Sequence, residues 1–248
     1  MMVLMLPKGN AINYQEVMLV NKISNNIPDS KGINSYHRDI PFPKLLEYYC
    51  GKDLFYKIEK YFDELGKLVG SELEELSLSA DKNSPELVKR SRDGTFTNKI
   101  KKHPDFIRLE KYAFEKFGLA AMSHRKGVFG IQQTLPPIVK YGLTFLFVQS
   151  EFGLCCPLSM TDSLTRTLKK FGDDKLAKKF FDKLTSQNLE NLFQGAMFMT
   201  EQHAGSDVGS IDSYAENING KWFLTGDKWF CSNPDADLAM VLARYDKN

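Results

Sequence analysis

The sequence of 248 residues has few cysteines, few histidines and almost no surplus of charge. Its four cysteines include no C-x-x-C pair and are too sparse for a secreted disulfide scaffold, which favours reduced thiols in a cytosolic setting. The four histidines are scattered along the chain, so we expect no metal site. A formal charge of +2, from 33 basic and 31 acidic side chains, gives no general support for binding to nucleic acid or to an anionic membrane.

An uninterrupted apolar run of membrane-spanning length is also missing. The most apolar long window, GLTFLFVQSEFGLCCPLSM, contains Gln149, Ser150, Glu151 and Pro157 and therefore predicts a buried helix that runs into a loop. The N-terminus, MMVLMLPKGN, lacks the basic region of an export signal. With 42% hydrophobic and 26% charged residues, the composition is typical of a soluble protein with a substantial core, which we expect in the cytoplasm.

Breaker residues separate the start of the chain from a helical part. Residues 1–45 are rich in Asn, Pro, Gly and Ser and predict an irregular N-terminal arm. Residues 46–190 predict a helical domain, whose first long helix carries an apolar stripe and is expected to end at Gly70. The stripe consists of Leu54, Ile58, Phe62, Leu65 and Val69.

Turn and capping residues organise the rest of the helical part. The segment SRDGTFTNKIKKHPDF, residues 91–106, predicts a loop, and Pro104 suits the first turn of the helix that follows. Asp162 and Asp173 are predicted N-caps of two further helices, because an aspartate side chain accepts hydrogen bonds from the free N–H groups of a first turn.

After residue 190 the pattern changes to β-strands. Residues 191–248 predict the first strands of an antiparallel β domain, with Asn219-Gly220 as the turn of a hairpin. The predicted fold class is therefore α+β, with helices and strands segregated along the chain. Because three or four strands alone would leave an open edge and an uncovered face, we expect the β domain to be truncated.

Two stretches of the β part combine features that suit a flat ring and an anion. In AMFMTEQHAGSDVGS, residues 196–210, small residues let backbone N–H groups approach an anion and Ser206 adds a hydroxyl. In KWFLTGDKWFCSNP, residues 221–234, aromatic faces lie beside the hydroxyl of Ser232. Either stretch alone is more often an ordinary turn or part of a core. Their combination favours a flavin nucleotide.

The two stretches resemble the flavin-binding core of acyl-CoA dehydrogenases, through MTE, GSD and LTGDKWFCSNPDADLAMVLAR. Upstream, PKLLEYYCGKDLF, KHPDFIRLEKYAF and CPLSMTDSLTRTL are similar to the AidB-like branch, the adaptive-response flavoproteins. The resemblance implies FAD as cofactor and α,β-dehydrogenation of an acyl-CoA thioester by the complete protein. It also implies that the catalytic glutamate belongs to a C-terminal helical domain, so no catalytic residue is assigned to this chain.

The resemblance assigns site residues position by position. The segment 197–200 would line one side of the isoalloxazine ring, Ser206 would meet the pyrophosphate, and the segment 230–232 would cover the other side. Gln202 and His203 replace the usual Pro-Gly, and Cys231 replaces an aliphatic or aromatic residue, which bears on substrate choice. The expected cofactor-binding residues are Met197, Phe198, Met199, Thr200, Gly205, Ser206, Phe230, Cys231 and Ser232, with Ser206 also expected to bind substrate.

Two residues near the motifs have alternative roles. His203 is a conceivable general base because imidazole titrates near neutral pH, but a solvent-exposed turn histidine is the favoured interpretation. Glu201 is interpreted as a structural hydrogen-bond partner of its turn. Nucleic acid is not expected as a partner, because lysines interleaved with aspartates are typical of a solvated helix face and the DNA association of the AidB-like branch is attributed to its C-terminal region.

Two hypotheses of function remain open. The first is an FAD-binding N-terminal portion of an AidB-like acyl-CoA dehydrogenase. The second is a non-catalytic flavin-binding, acyl-CoA-binding or interaction module, or one half of a split protein. In both cases an open strand edge and apolar surface lead us to expect a homo-oligomer or a complementing C-terminal chain.

Overall fold

The computed structural model describes residues 30–245, in which helices precede strands, apart from one hairpin between the helices. The helices are α1 Ser35–Arg38, α2 Pro41–Cys50, α3 Lys52–Val69, α4 Glu72–Lys82, α5 Pro104–Glu110, α6 Pro137–Phe147, α7 Cys155–Phe171 and α8 Asp174–Leu184. The strands are β1 Glu86–Arg90, β2 Phe96–Lys101, β3 Gly195–Phe198, β4 Tyr214–Ile218, β5 Lys221–Thr225 and β6 Leu238–Val241. A π-helical turn, Lys111–Lys116, extends α5, and 3-10 turns occupy Val128–Gly130 and Val208–Ser210. The predicted α+β class is confirmed.

The apolar stripe of α3 forms the centre of the helical core. Ile58, Phe62, Leu65 and Val69 are buried, and α3 ends with Gly70 as its C-cap, as predicted. Their spacing of three and four residues places these side chains on one face, which packs against α1, α2 and α6. Burial of each such side chain stabilises the fold by about 1.5 to 3 kcal/mol.

The irregular conformation predicted for the arm is wrong for residues 35–45, while residues 1–29 lie outside the described residues. Pro41 occupies the first turn of α2, where its missing N–H costs no hydrogen bond and its fixed φ suits a helix. Tyr36 of α1 is fully buried, with its ring centroid 5.8 Å from that of Phe62. The proline that predicts a break therefore starts a helix.

The prediction of a loop at residues 91–106 is wrong over the residues of β2, because this strand pairs antiparallel with β1. At the turn, the Asp93 side chain accepts a hydrogen bond from the Thr95 backbone N–H at 3.0 Å, and Gly94 has a φ of 87°. Both strands are exposed along most of their length, so the sequence lacks the alternation of apolar and polar residues that predicts a strand. Pro104 begins α5, as predicted.

The two predicted N-caps have different outcomes. Asp173 caps α8, because its side chain accepts hydrogen bonds from the backbone N–H groups of Lys175 at 2.8 Å and Leu176 at 3.2 Å. Asp162 lies inside α7, so its predicted capping role is wrong. The helix starts earlier, at Cys155, and Pro157 does not interrupt it because it falls within the first turn, where no N–H donor is required.

Asp162 belongs instead to a buried ion cluster between α6 and α7. Its carboxylate accepts a hydrogen bond from Lys140 Nζ at 2.6 Å and contacts His124 Nε2 at 2.7 Å. Burial opposes its ionisation, but the hydrogen bonds from His124 and Lys140 hold the pKa of Asp162 below its usual value. The cluster fixes α6, α7 and the segment around His124 to one another.

The β part contains one hairpin and one parallel pair. Strands β4 and β5 pair antiparallel around Asn219 and Gly220, whose φ values of 53° and 81° suit a two-residue hairpin turn, as predicted. Strands β3 and β6 pair in parallel, with Met197 opposite Met240, which differs from the antiparallel pairing predicted throughout this part. The long connection between them returns the chain to the starting end of β3, as a parallel pair requires.

A close backbone approach at Gly195 anchors β3 to α7. The N–H of Gly195 donates to Thr161 Oγ1 at 2.9 Å. A Cβ at position 195 would lie 3.0 Å from Thr161 Cα and 3.2 Å from the carbonyl oxygen of Met160, so only glycine fits without displacing the helix. This contact fixes the strand whose far end carries the predicted cofactor residues.

No helix among residues 30–245 combines the length and the apolar character needed to cross a bilayer. The division of the chain at residues 45 and 190 stays a prediction.

Replacing Asp162 with alanine is expected to destabilise the protein by about 3 to 5 kcal/mol, because Lys140 would remain buried without its partner. Urea unfolding of Asp162→Ala measures this loss. Asp182→Ala, which removes an exposed carboxylate from α8, is the control and is expected to change stability by less than about 0.5 kcal/mol. Equal losses in the two variants would contradict the role of the ion cluster.

Candidate functional site

Two separate stretches of the β part meet beside the end of β3. The backbone N–H of Trp229 donates to the carbonyl of Thr200 at 2.8 Å, which places the tripeptide 230–232 next to that strand end. Glu201 and Ala204 close a tight turn through reciprocal backbone hydrogen bonds of 2.8 and 3.2 Å. The fold therefore brings together the two stretches that the sequence assigns to the cofactor, although the roles of their residues stay predictions.

A buried ion pair between Glu201 and Lys228 lies under this junction. Their closest atoms, Oε1 and Nζ, are 2.7 Å apart, and their side chains are 4% and 8% exposed. Lys228 Nζ also donates to the carbonyl of Met199 at 3.1 Å. The Glu201 carboxylate accepts two more hydrogen bonds, from the backbone N–H groups of Asp212 at 2.6 Å and Ser213 at 3.1 Å. The interpretation of Glu201 as a structural hydrogen-bond partner is confirmed.

These contacts determine the charge of Glu201. The hydrogen bond from Lys228, together with those from the backbone N–H groups, holds the pKa of Glu201 well below its usual value. The carboxylate is therefore ionised at neutral pH, and Lys228 neutralises it. A carboxylate held in this way is a poor proton acceptor.

Aromatic and thioether side chains are exposed at the junction. Phe230 is 83% exposed, Trp229 46% and Met199 44%. Phe230 also has a φ of 57°, a left-handed conformation that is uncommon for a bulky residue. The junction thus presents a broad apolar surface to solvent.

The two stretches also carry the three hydroxyl groups that are predicted to bind the cofactor. Those of Thr200, Ser206 and Ser232 have no side-chain hydrogen-bond partner within residues 30–245. Gly205 lies beside Thr200, since a Cβ at position 205 would be 3.9 Å from Thr200 Cγ2. Free hydroxyls can donate and accept, so the junction offers both an apolar surface and unused hydrogen-bonding capacity.

The second stretch is also tied to the helical part. Asn233 Nδ2 donates to Gln194 Oε1 at 3.2 Å, and Gln194 Nε2 donates to Glu110 of α5 at 3.0 Å. The Cys231 thiol donates to the carbonyl of Lys228 at 3.4 Å, which directs it towards its own backbone turn. These bonds fix the conformation of residues 231–233.

His203 is 54% exposed and pairs with Asp212, with Nε2 and Oδ2 separated by 3.1 Å, so the prediction of an exposed turn histidine is confirmed. Together with Glu201, these residues place three potential metal-ligand atoms within 4.8 Å of one another. The Lys228 ammonium already neutralises Glu201, so we assign the three residues to the hydrogen bonding of the turn.

Comparison with known proteins identifies the family. The model of the adaptive response protein AidB N-terminal domain matches residues 25–191, and that of the acyl-CoA dehydrogenase middle domain matches residues 196–248. Because the first match alone covers more than half of the sequence, the chain belongs to the acyl-CoA dehydrogenase family. Within that family it belongs to the AidB-like branch, as the sequence motifs indicate.

Similar proteins agree with this assignment. Acyl-CoA dehydrogenase family member 11 from Caenorhabditis elegans is 29% identical over 216 residues, which cover 85% of this chain and 34% of that protein. AidB from Escherichia coli (strain K12) is 27% identical over 203 residues, covering 74% and 35% of the two proteins. The chain thus spans about a third of the length of these relatives.

Solved structures show the same fold. The structure of ACDH-11 from Caenorhabditis elegans in complex with C11-CoA gives a TM-score of 0.73 at 28% identity, covering 86% of this chain and 36% of that one. The apo-form of Bd2924 gives a TM-score of 0.76 at 24% identity, covering 90% and 45%.

Lys228 is the site residue that sequence reasoning did not single out. In the sequence, the only feature that distinguishes Lys228 is its position between a turn and the aromatic pair of GDKWF. Its partner Glu201 lies in the other stretch, so the pairing becomes visible only when the two stretches meet.

Acid is expected to destabilise the junction through Glu201. The pKa of Glu201 is lower in the folded protein than in the unfolded chain. Its contribution to folding stability is therefore complete above the unfolded pKa of about 4.3 and is lost as the pH falls below that value. Melting temperatures of the unchanged protein and of Glu201→Gln, measured between pH 7 and pH 2, test this. Below pH 4 the melting temperature of the unchanged protein should fall more than that of Glu201→Gln. Parallel curves of melting temperature against pH would contradict the prediction.

Proposed function

We propose that the chain binds FAD at the junction of its two stretches and that the complete protein dehydrogenates an acyl-CoA thioester at its α and β carbons. The observation that carries the proposal is the backbone hydrogen bond from Trp229 to Thr200, which joins the two stretches where the side chains of Met199 and Phe230 are exposed. A flavin nucleotide has an apolar ring, a polar ring edge and a pyrophosphate, so the residues present fit this cofactor. When bound, FAD supplies the acceptor for a hydride.

The residues of the chain would divide the binding between them. The segment 197–200 and Phe230 would contact the ring faces, while Thr200 and Ser232 hydrogen-bond its polar edge. Ser206 and the backbone N–H groups of the small-residue turn suit the pyrophosphate. Gly205 leaves room for the phosphate to approach the backbone.

We infer the substrate class from the family. An acyl-CoA thioester is the expected partner, and Ser206 is the residue of this chain proposed to contact it. The solved complex of the Caenorhabditis elegans protein with C11-CoA supports this class.

The second candidate function is a non-catalytic module that binds flavin or acyl-CoA. The state of Glu201 favours it for the chain alone, because this carboxylate is buried, ionised and paired with Lys228. Catalysis would then need a base from a complementing chain or from another part of the protein. Exposed Trp222, Phe223 and Leu224 on β5 provide apolar surface for such an association or for a homo-oligomer.

Flavin affinity is expected to depend on the serine hydroxyls. Ser206→Ala should weaken FAD binding about tenfold or more, since losing a hydrogen bond to a charged phosphate costs about 1.5 to 3 kcal/mol. Ser232→Ala should weaken it about two- to tenfold, since a hydrogen bond to the neutral ring edge contributes about 0.5 to 1.5 kcal/mol. FAD titrations followed by flavin fluorescence measure the effect. His203→Ala is the control and should bind FAD like the unchanged protein. An effect of the histidine substitution alone would show that the residues are wrongly assigned.

Acyl-CoA is not expected to reduce the flavin of this chain alone. Removal of an α-proton needs a base within reach of the substrate, and Glu201 is held by Lys228. Saturated acyl-CoAs of several chain lengths are added anaerobically to the FAD-loaded protein, and the visible absorbance of the flavin is followed. A full-length family member active on the same thioesters is the positive control. Rapid bleaching by this chain alone would contradict the prediction and favour catalysis without a further base.

A further inference from the structure

We infer that Lys228 is a positioning residue of the flavin site, which sets the spacing of the two stretches through its ion pair with Glu201. The inference rests on the proposed function, because it assumes that these stretches contact the flavin. It concerns a residue whose side chain is 8% exposed and whose ammonium is paired with Glu201.

Hydrogen bonds from two adjacent residues hold three consecutive positions at the end of β3. Lys228 Nζ binds the carbonyl of Met199 at 3.1 Å and the carboxylate of Glu201 at 2.7 Å. The backbone N–H of Trp229 binds the carbonyl of Thr200, between them, at 2.8 Å. Of the proposed ring contacts, Thr200 therefore belongs to this network and Phe230 directly follows it in the chain.

The same carboxylate extends the network to a third segment. Glu201 accepts hydrogen bonds from the backbone N–H groups of Asp212 and Ser213, which lead into β4. Removing the Lys228 ammonium would leave an uncompensated charge buried at the point where the three segments meet. The expected response is a local rearrangement that moves Thr200 away from Trp229.

Burial makes the ion pair a directional contact. Two desolvated charges contribute little net stability, because loss of hydration offsets their attraction. Their hydrogen bonds, however, are satisfied only in a narrow range of geometries. An apolar pair of similar volume would hold the two stretches together but would let them shift relative to each other. We therefore attribute the fixed spacing of the two stretches to the charged pair.

The chain offers a matched control for the substitution of Lys228. Lys140 is also a buried lysine paired with a carboxylate, but it lies on α6 and holds Asp162. Lys140→Met should lower stability without altering the two stretches, whereas Lys228→Met should alter them directly. Lys221→Met, which changes an exposed lysine on β5, controls for the loss of one positive charge.

The test combines a flavin-independent measurement with a flavin-dependent one. Hydrogen exchange of the protein without FAD, read on peptides covering 197–204 and 227–233, should be faster in Lys228→Met and unchanged in Lys140→Met at equal fractions folded. FAD affinity and the visible spectrum of the bound flavin should also change only in Lys228→Met, with affinity falling about tenfold or more. Lys228→Arg keeps a cation and should recover part of both properties.

The outcomes distinguish the proposed FAD binding from the positioning role of Lys228. If the unchanged protein binds no FAD, the proposed function fails, while hydrogen exchange still tests whether Lys228 orders the stretches. If Lys228→Met exchanges like the unchanged protein, or if Lys140→Met weakens FAD binding as much as Lys228→Met does, the positioning role is overturned. If Lys228→Met fails to fold, hydrogen exchange and FAD affinity are measured on Lys228→Arg and Glu201→Gln instead. If both variants give the values of the unchanged protein, the positioning role is overturned.

Discussion

The ion pair of Glu201 and Lys228 is the contact on which the geometry of the candidate site depends. Water is largely excluded from both side chains, so each charge must be satisfied within the protein. The ammonium meets a carbonyl and a carboxylate, and the carboxylate meets two backbone N–H groups. The requirement to satisfy all these groups at once fixes the end of β3, the entry to β4 and the aromatic stretch relative to one another.

Packing supplies the frame in which this pair operates. Gly195 lets β3 lie against the backbone of α7, and the helices are held by the apolar stripe of α3 and by the ion cluster of Asp162. Apolar contacts give the helical part most of its stability, whereas the buried ions specify which segments are neighbours. At the junction itself, Phe230 and Met199 are left exposed, which costs burial and leaves an apolar surface at the proposed flavin site.

Elements were predictable from the sequence where neighbouring residues carry a signal for them. The stripe of α3 and the Asn219-Gly220 turn were predictable, because a helix face and a two-residue turn leave local signals. The β1–β2 hairpin was not, because strands exposed on both faces need no apolar alternation. Asp162 was misassigned for a related reason, since an aspartate has the same local signal at an N-cap and in a buried ion pair.

By itself, the sequence determined the α+β class, the family and the two stretches of the candidate site, because each depends on residues close together in the chain. Only the tertiary structure decided that β3 and β6 pair in parallel, that Asp162 meets Lys140, and that Lys228 meets Glu201. These contacts join residues far apart in sequence. Their partners are selected by the packing of whole elements and by the cost of leaving a buried charge unpaired, and neither quantity is written in any single stretch of sequence.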